Sequence, residues 1–220
     1  MPNPTILTKT QLGFLQLLGG QPFSNKFYLS GGTALAAFYI PYRYSEDLDF
    51  FNEEEFQADE IITFLKSVKD KIGFESFDFN TSFNRNLIFL KLPNEQLKLE
   101  FTYYPFEQLN TPKEEHGIKI DSVLDIAVNK LFTIYQNPRS RDFTDLYMII
   151  NKYNFTIEDL IKKAKVKFDW HVDPLKLGTQ FLLSGELKDY PRLISKLDKK
   201  DWQNFFLDEA KKLGQKVIEK

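Results

Sequence analysis

The sequence predicts an α/β (α+β) fold in which a small mixed-sheet domain precedes a helical C-terminal half. First, Phe27–Phe51 has the pattern of a strand, a glycine turn, a helix and a second strand. Second, three strand-like runs follow this segment: Gly73–Phe79, Asn86–Leu92 and Gln96–Tyr104. Third, the apolar spacing becomes helical from Asp121 onward. We therefore expect two regions, at residues 1–110 and 111–220.

The composition is that of a globular protein that needs no covalent staples. With 220 residues, the chain can bury one large core or two small ones. The net charge of −2 gives no general support for nucleic-acid binding, although a local basic patch stays open. Cysteine is absent, which excludes disulfides and thiolate metal sites and is typical of a reducing cytoplasm. No apolar run approaches the ~20 residues of a membrane span, and the N-terminus lacks a signal-peptide pattern. We therefore expect a cytoplasmic protein without a membrane partner.

The segment that organises the chain begins with a short strand at Phe27–Ser30. Gly31 and Gly32 break this strand, since residues without a Cβ permit positive φ and the close approach of a ligand. Thr33 is placed to cap the next helix, Ala34–Tyr39. The backbone N–H groups at the start of a helix bind anions readily, so this turn is a candidate phosphate site. The alternative is a plain corner between a strand and a helix.

Two aspartates follow on the second strand of this segment. Asp47 and Asp49 are expected to project from one face and Leu48 and Phe50 from the other, because side chains alternate along a strand. Two adjacent carboxylates repel each other unless a cation lies between them, and Mg²⁺ prefers oxygen ligands together with substrate phosphates. The sequence therefore predicts a Mg²⁺ site at these aspartates. The alternative is a solvated strand face.

The other elements follow from helical periodicity and turn residues. Asn52 is expected to cap a helix at Glu54–Ile72, and Pro93–Glu95 to close a hairpin between the last two strands. Pro105–Lys119 is polar and rich in turn residues, which favours a linker or a surface crossing between the two halves. Further helices are predicted at Thr8–Leu18, Val123–Tyr135, Arg141–Tyr153, Ile157–Lys167, Pro174–Leu183 and Trp202–Glu219. Their expected N-caps include Thr8 or Thr10, Ser122, Thr156 and Asp201.

Two stretches of the chain resemble one known family. The first has GGTALA at residues 31–36, followed by Arg43-x-Ser45-x-Asp47-Leu48-Asp49-Phe50. The second is DIAVNKLFTIYQNPRSRDFTDL at residues 125–146, where a lysine precedes an Arg-Asp-x-x-Asp-Leu sequence. Both are similar to the AbiEii/AbiGii-type toxins, which are nucleotidyltransferases of the DNA-polymerase-β superfamily. The resemblance implies a nucleotidyltransferase domain at 1–110.

The resemblance also implies roles for residues of the first stretch. The phosphates of an NTP substrate would lie over the glycine turn, and Asp47 and Asp49 would be catalytic and bind Mg²⁺ or Mn²⁺. The nucleotide-binding residues implied by the family pattern are Gly31, Gly32, Thr33, Arg43, Ser45 and Lys130.

In the superfamily a third acid, on a late strand, completes the metal site. Glu100 is our candidate, because it lies on the polar side of the strand Gln96–Tyr104. It would be catalytic, bind a second metal ion and act as the base for the attacking hydroxyl. An ordinary solvent-facing position is an equal alternative for this residue. Glu75 and Asp78, on the preceding strand, are less favoured candidates for the third acid.

In the second stretch the family pattern falls on four residues. The resemblance gives Lys130 and Asp145 catalytic roles, with Lys130 neutralising phosphate charge as a point cation. The roles of Arg141 and Asp142 stay open. Arg141 and Asp145 can pair, since they lie one turn apart on a helix. The alternative is a helical hairpin with a surface ion pair.

The function implied by the resemblance is Mg²⁺-dependent transfer of a nucleoside monophosphate from an NTP. The acceptor would be an RNA, at the 3′ end of a tRNA, or a protein hydroxyl. Such a protein would be the toxin of a bacterial toxin–antitoxin or phage-defence system, with a cognate antitoxin as a partner. Two alternatives are a catalytically idle binding module with the same fold and a metal-dependent ribonuclease, which would cleave RNA without NTP.

Overall fold

The structure, a computed structural model, describes residues 6–218, the last three of them by backbone alone. The chain forms two compact units. The first, here called the sheet unit, contains the chain up to Tyr39 and Ser45–Ser122. The second, called the helical unit, contains Ile40–Tyr44 and the chain from Val123 onward. This division differs from the expected one, because the boundary follows Ser122 rather than residue 110 and part of the first motif belongs to the helical unit.

Within the described residues the sheet unit contains a mixed sheet of seven strands. The strands are β1 (Tyr28–Ser30), β2 (Leu48–Asn52), β3 (Ser76–Ser82), β4 (Arg85–Lys91), β5 (Gln96–Tyr103), β6 (Lys113–Glu115) and β7 (Ile118–Ile120). Their order across the sheet is β3-β4-β5-β2-β1-β7-β6. The pairs β2–β5 and β1–β7 are parallel, and the other pairs are antiparallel. The predicted mixed sheet is confirmed.

The hairpin predicted around Pro93–Glu95 is present, since β4 and β5 pair in antiparallel register. The prediction of a linker at Pro105–Lys119 is wrong, because β6 and β7 form a second hairpin within it. β7 pairs with β1, and its residues Ile118 and Ile120 are buried. Strands of three residues are too short to show an alternating pattern, so turn residues dominated the prediction.

One face of the sheet packs against two helices. These are α1 (Lys9–Gly19) and α3 (Asp59–Ile72). The ring of Phe14 on α1 contacts Phe50 of β2 and Phe64 of α3, at centroid distances of 6.2 and 5.8 Å. Phe50 in turn stacks on Phe101 of β5 at 4.7 Å. The apolar side of the β2–β5 pair is therefore core, which leaves its other side for polar residues.

The starts of these two helices differ in how well the sequence predicted them. Thr8 caps α1 as expected, since its hydroxyl accepts from the backbone N–H of Gln11 in a capping box. α3 begins at Asp59 and not at Glu54, and Asn52 is not its cap. Asn52 is instead the buried last residue of β2, where its side chain accepts a hydrogen bond from the Glu54 backbone. Its place in the strand removes it from the helix.

The helical unit is built from the predicted helices. They are α4 (Val123–Gln136), α5 (Ser140–Tyr153), α6 (Ile157–Phe168), α7 (Pro174–Leu182) and α8 (Lys199–Ile218). Thr156 and Asp173 cap α6 and α7 with their side chains. Asp201 lies inside the first turn of α8 and is not its cap, because the helix begins at Lys199. Phe206 of α8 contacts Phe143 and Phe181 in the core, at 4.7 and 5.0 Å between ring centroids. Glu219, the predicted end of the last helix, lies outside the described residues.

Among residues 6–218, no helix has both the length and the apolar character that a membrane span requires.

Candidate active site

The three acids predicted for the metal site lie on the polar face of the sheet. Asp49 on β2 and Glu100 on β5 are direct partners in the parallel ladder, and paired residues on neighbouring strands project to the same side. Asp47 comes one residue before β2, and its Oδ2 lies 2.7 Å from Nζ of Lys98 on β5. Leu48 points to the opposite face and is fully buried. The alternation expected from the sequence therefore places the acids side by side.

Of the three candidates for the third acid, Glu100 is the one adjacent to Asp49. Asp78 on β3 pairs with Lys91 of β4 at 2.8 Å, and Glu75 is exposed before β3 begins. Two strands, β4 and β5, separate β3 from β2. The Glu100 side chain is only 9% exposed, so it is not part of a solvated strand face.

The glycine turn meets Asp49 directly. Gly31 is the first residue of α2 (Gly31–Phe38) and has a φ of +70°. A Cβ at Gly31 would lie 2.7 Å from Oδ2 of Asp49, so the carboxylate occupies the space that a side chain would fill. Gly32 does not share the positive φ. The conformational requirement predicted for the glycine pair therefore belongs to Gly31, and Asp49 lies against the N-terminus of α2.

Thr33 has a different role from the one predicted. It is not the N-cap, because α2 begins at Gly31 directly after Ser30. Thr33 lies in the first turn of the helix and is fully buried. Its hydroxyl donates a hydrogen bond to the backbone carbonyl of Asp47. This bond fixes the start of β2 against α2 and so helps to position both aspartates.

Cations neutralise the outer acids of this row. Arg85 of β4 donates from Nε and Nη2 to the two carboxylate oxygens of Glu100, each at 2.7 Å. The Thr102 hydroxyl adds a third bond to Oε1 of Glu100 at 3.0 Å. The hydrogen bonds to Glu100 raise the pKa of Arg85, and the charge of Asp49 contributes to the same shift. Arg85 and Lys98 therefore each neutralise one acid of the polar face.

The donor atoms fit a metal ion only in part. Among residues 6–218 there is no group of three His, Cys, Asp or Glu side chains arranged to hold a metal. Asp47 and Asp49 supply hard oxygen donors, and the Lys98 that neutralises Asp47 is a half-buried cation that an incoming ion can displace. Both oxygens of Glu100 are already engaged by Arg85. The aspartate pair suits Mg²⁺ bound together with substrate phosphates, whereas Glu100 does not complete a three-carboxylate set.

A second cluster of charged residues lies in the helical unit, centred on Asp145 of α5. Arg43 donates to Asp145 from Nε at 2.7 Å and from Nη2 at 2.9 Å. The Tyr42 hydroxyl donates to Oδ1 at 2.6 Å, and Nζ of Lys130 lies 2.8 Å from Oδ2. Asp145 is completely buried, so all of its acceptor capacity is used inside the protein. Lys130 and Asp145 are therefore neighbours, and Arg43 of the first motif joins them.

Asp142 extends this cluster toward solvent. Its Oδ1 lies 2.7 Å from Nζ of Lys130, and its Oδ2 accepts from Nε of Arg139 at 2.6 Å. Arg139 is 41% exposed, whereas Asp142 is fully buried. The predicted pairing of Arg141 with Asp145 is wrong, because Arg141 lies on the exposed side of α5. The charge that compensates Asp145 comes from other elements of the chain.

The acids Asp142 and Asp145 and the bases Arg43 and Lys130 are ionised at neutral pH. Burial alone would raise the pKa of Asp145, but Arg43 and Lys130 outweigh it and hold that pKa well below its ordinary value. Burial would likewise lower the pKa of Lys130, yet the charges of Asp142 and Asp145 raise it overall. Burial and the charge of Asp145 raise the pKa of Tyr42 well above its ordinary value, so its hydroxyl stays protonated and donates. The result is a rigid network with three cations against two carboxylates.

Ser45, predicted to contact the nucleotide, begins the return of the chain to the sheet unit. The side chain of Gln11 donates to the backbone carbonyls of Ser45 and Glu46, at 3.3 and 3.0 Å. These bonds hold the loop that leads into β2, and the nucleotide role of Ser45 stays a prediction.

Sequence reasoning missed Arg85, Arg139 and Tyr42. Arg139 could have been found from its spacing, since it lies three residues before Asp142 at the start of a helix. Arg85 could have been found by counting back from the Pro93 turn, which pairs it with Thr102 beside Glu100. Tyr42 gave no local signal, because its partner Asp145 is more than a hundred residues away in the sequence.

An α/β protein that carries an aspartate pair beside a glycine turn has the architecture of a nucleotidyltransferase, and the comparisons agree with this class. The chain belongs to the AbiEii family of nucleotidyltransferase toxins of type IV toxin–antitoxin systems, whose family model matches residues 14–214. The fold class, the enzyme class and the family predicted from the sequence are thereby confirmed.

One protein and two solved structures are similar to this chain over most of its length. The uncharacterized protein aq_aa25 of Aquifex aeolicus (strain VF5) is 31% identical over 164 residues, which are 74% of this chain and 76% of that protein. The crystal structure of JHP933 from Helicobacter pylori matches with a TM-score of 0.61 and 23% identity, over 96% of this chain and 91% of that one. A second H. pylori structure, described as a nucleotidyltransferase, has a TM-score of 0.61 and 21% identity, over 96% and 94% of the two chains. These two structures show that the fold is shared.

Proposed function

We propose that this nucleotidyltransferase moves a nucleoside monophosphate from an NTP to a hydroxyl group of an RNA, at the 3′ end of a tRNA, or of a protein. The hydroxyl oxygen would bond to the α-phosphorus, the bond between the α-phosphorus and the bridging oxygen would break to release pyrophosphate, and the hydroxyl proton would pass to solvent. The observation that carries the proposal is the contact between Asp49 and Gly31. It sets the Asp49 carboxylate beside the N-terminus of a helix, where backbone N–H groups attract phosphate. A cation-binding group and an anion-binding group in contact are what a metal–triphosphate substrate requires.

Each group of this site has a defined task in the proposal. Because Gly31 has no Cβ, the Asp49 carboxylate can lie against the start of α2. The phosphates would bind the N–H groups of that first turn, which also contains Gly32 and Thr33. Asp47 and Asp49 would hold Mg²⁺ or Mn²⁺, which, when bound, neutralises charge on the phosphates and on the attacking oxygen. Thr33 keeps the aspartates in register with the helix through its bond to the Asp47 backbone. Most of the rate enhancement is then positioning and charge neutralisation.

We further propose that Lys130 and Asp145 take part in the same reaction. The bond between Arg43 and Asp145 supports this, because it joins the two stretches that match the family pattern. The cluster has an excess of one positive charge, and its partly exposed member is Arg139. A net positive, preorganised group of this kind suits a phosphate.

The family assignment supports a role as the toxin of a toxin–antitoxin pair, acting in the cytoplasm where NTPs and tRNA are available. A cognate antitoxin is then the expected protein partner. The acceptor is left to experiment, since RNA and protein hydroxyls present the same nucleophile to the α-phosphate.

The test is incubation of the purified protein with cellular RNA, or with cellular protein, and each α-labelled NTP in turn. Label should enter one acceptor class in the presence of MgCl₂ or MnCl₂ and not in EDTA. Asp49→Asn should abolish the transfer, and Asp78→Asn is the matched control because Asp78 is an exposed acid on an outer strand. RNA cleavage without NTP would favour the ribonuclease alternative. Absence of both labelling and cleavage would favour an idle binding module.

A further inference from the structure

We propose that Glu100 is a positioning residue that holds Arg85 as a phosphate-binding side chain beside Asp49, and that it is not a third metal ligand. The ligand of Arg85 in this proposal is the polyphosphate of the NTP. The inference rests on the proposed function, because it assigns one more contact to the same substrate.

The geometry of the pair is that of a fixed arginine with one edge open. Arg85 uses Nε and Nη2 for the two oxygens of Glu100, each at 2.7 Å. A guanidinium has five N–H donors, and in residues 6–218 no further hydrogen bond of this one is found. The Arg85 side chain is 52% exposed, whereas Glu100 is 9% exposed. The carboxylate therefore anchors the guanidinium from the protein side and leaves the other donors to solvent.

Glu100 has little capacity left for a metal ion. Its two oxygens accept two bonds from Arg85 and a third from the Thr102 hydroxyl at 3.0 Å. A divalent cation at these oxygens would have to displace charge-assisted bonds, which are the stronger class of hydrogen bond. It would also stand next to the guanidinium at a separation where like charges repel strongly. The buried position of Glu100 makes that repulsion larger, since solvent screens it poorly.

Arg85 lies at the β4 end of a row of side chains that crosses the polar face through Glu100 to Asp49. Asp49 pairs with Glu100 in the β2–β5 ladder, and Leu87 of β4 pairs with the same residue on its other side. The Arg85 side chain extends along β4 to contact Glu100 on β5. β5 is the strand next to β2, which carries Asp49. The pKa of Arg85 responds to Asp49 as well as to Glu100, which agrees with this proximity. A phosphate chain that starts at Asp49 and the glycine turn would meet the open edge of Arg85.

An oriented arginine suits phosphate better than a free one. Its planar fork binds two phosphate oxygens at once, and the side-chain entropy lost on binding is smaller when the guanidinium is already held. Glu100 thus acts through Arg85, in the way that an outer carboxylate fixes a ligating side chain.

The test is calorimetric binding of inorganic tripolyphosphate, with Mg²⁺ and separately in EDTA, so that turnover is not needed. Arg85→Gln should weaken binding by ~10–100-fold in both conditions, the range for loss of a hydrogen bond to a charged group. Glu100→Gln should weaken it in the same direction. The double variant should bind tripolyphosphate as tightly as Arg85→Gln alone, because Glu100 acts only through Arg85 and the two changes remove the same contact. Lys91→Gln is the matched control, since Lys91 also lies on β4 in an ion pair.

The alternative makes different predictions. If Glu100 binds the metal, Glu100→Gln raises the Mg²⁺ concentration needed for half-saturation and leaves tripolyphosphate binding in EDTA unchanged, which would overturn the proposal. The proposal would also be overturned if Arg85→Gln bound tripolyphosphate as tightly as the wild type. It would be overturned as well if the wild type did not bind tripolyphosphate at all. Weaker tripolyphosphate binding in EDTA for both Arg85→Gln and Glu100→Gln would uphold the proposal even if no NTP were ever transferred. Arg85 is exposed enough for its variants to fold, and their melting temperature checks this.

Discussion

Replacing Asp145 with asparagine should destabilise the helical unit strongly, although the two side chains have nearly the same volume. Oδ1 of Asp145 accepts from the Tyr42 hydroxyl and from Nε of Arg43, and Oδ2 accepts from Nη2 of Arg43 and lies 2.8 Å from Nζ of Lys130. An amide has one oxygen and one NH₂ group, so in either orientation two donors face another donor.

The magnitude follows from these contacts. At least one of the two lost bonds comes from a buried cation, and breaking a buried pair costs about 3–5 kcal/mol. A single hydrogen bond to a charged group is worth about 1.5–3 kcal/mol, so two lost bonds give a similar total. For a chain of this size such a loss lowers the melting temperature by roughly 10 °C.

The assay is urea and thermal unfolding followed by circular dichroism. The midpoint of Asp145→Asn should fall while the slope stays unchanged, because the exposed area on unfolding is the same. Asp208→Asn, at an exposed position on α8, should not change the midpoint. If Asp145→Asn has the same unfolding midpoint as the wild type, the buried network does not stabilise the fold and this reasoning is refuted.

The same network predicts how stability depends on pH. The pKa values of Asp142 and Asp145 are lowered in the folded protein. Their contribution is therefore complete above the unfolded value near pH 4 and is lost as pH falls through the folded values. Asp145→Asn should show a shallower loss of stability than the wild type below about pH 4. Equal slopes for the two proteins would contradict the assignment.

Three further predictions concern the turn, the lysine and a hairpin. Gly31→Ala should reduce nucleotide transfer far more than it reduces stability, since its methyl group would displace the Asp49 carboxylate. Gly73→Ala is the control, because Gly73 also has a positive φ, of +82°, but no atom lies within 4 Å of its added Cβ. This variant should transfer normally. Lys130→Ala should slow transfer by ~10²–10³, as expected for one lost charge contact, and full activity would end its catalytic assignment. Phe83→Gly should raise the melting temperature, because Phe83 is fully exposed and has a φ of +51°. The strain of that left-handed conformation in a residue with a side chain is worth about 1 kcal/mol. An unchanged or lower melting temperature would contradict this.

The sequence by itself determined the features that depend on residues close together in the chain. The capping box at Thr8, the turn at Pro93 and the helix starts at Thr156 and Asp173 each satisfy backbone groups within a few residues. Alternation along β2 placed both aspartates on the same side, because the period of a strand is local geometry. The stretches at residues 31–50 and 125–146, in that order, carried the resemblance to the family.

Only the tertiary structure decided which charged groups meet. Asp145 takes its partners from Arg43 and Lys130, on different elements of the helical unit, and not from Arg141 one turn away. Arg85 reaches Glu100 only because the register of β4 against β5 sets it beside Thr102. A charged residue that is buried accepts whichever opposite charge the packing brings within reach, since leaving it unpaired in low dielectric is costly. The spacing of charged residues along the sequence therefore does not predict which of them pair in the folded protein.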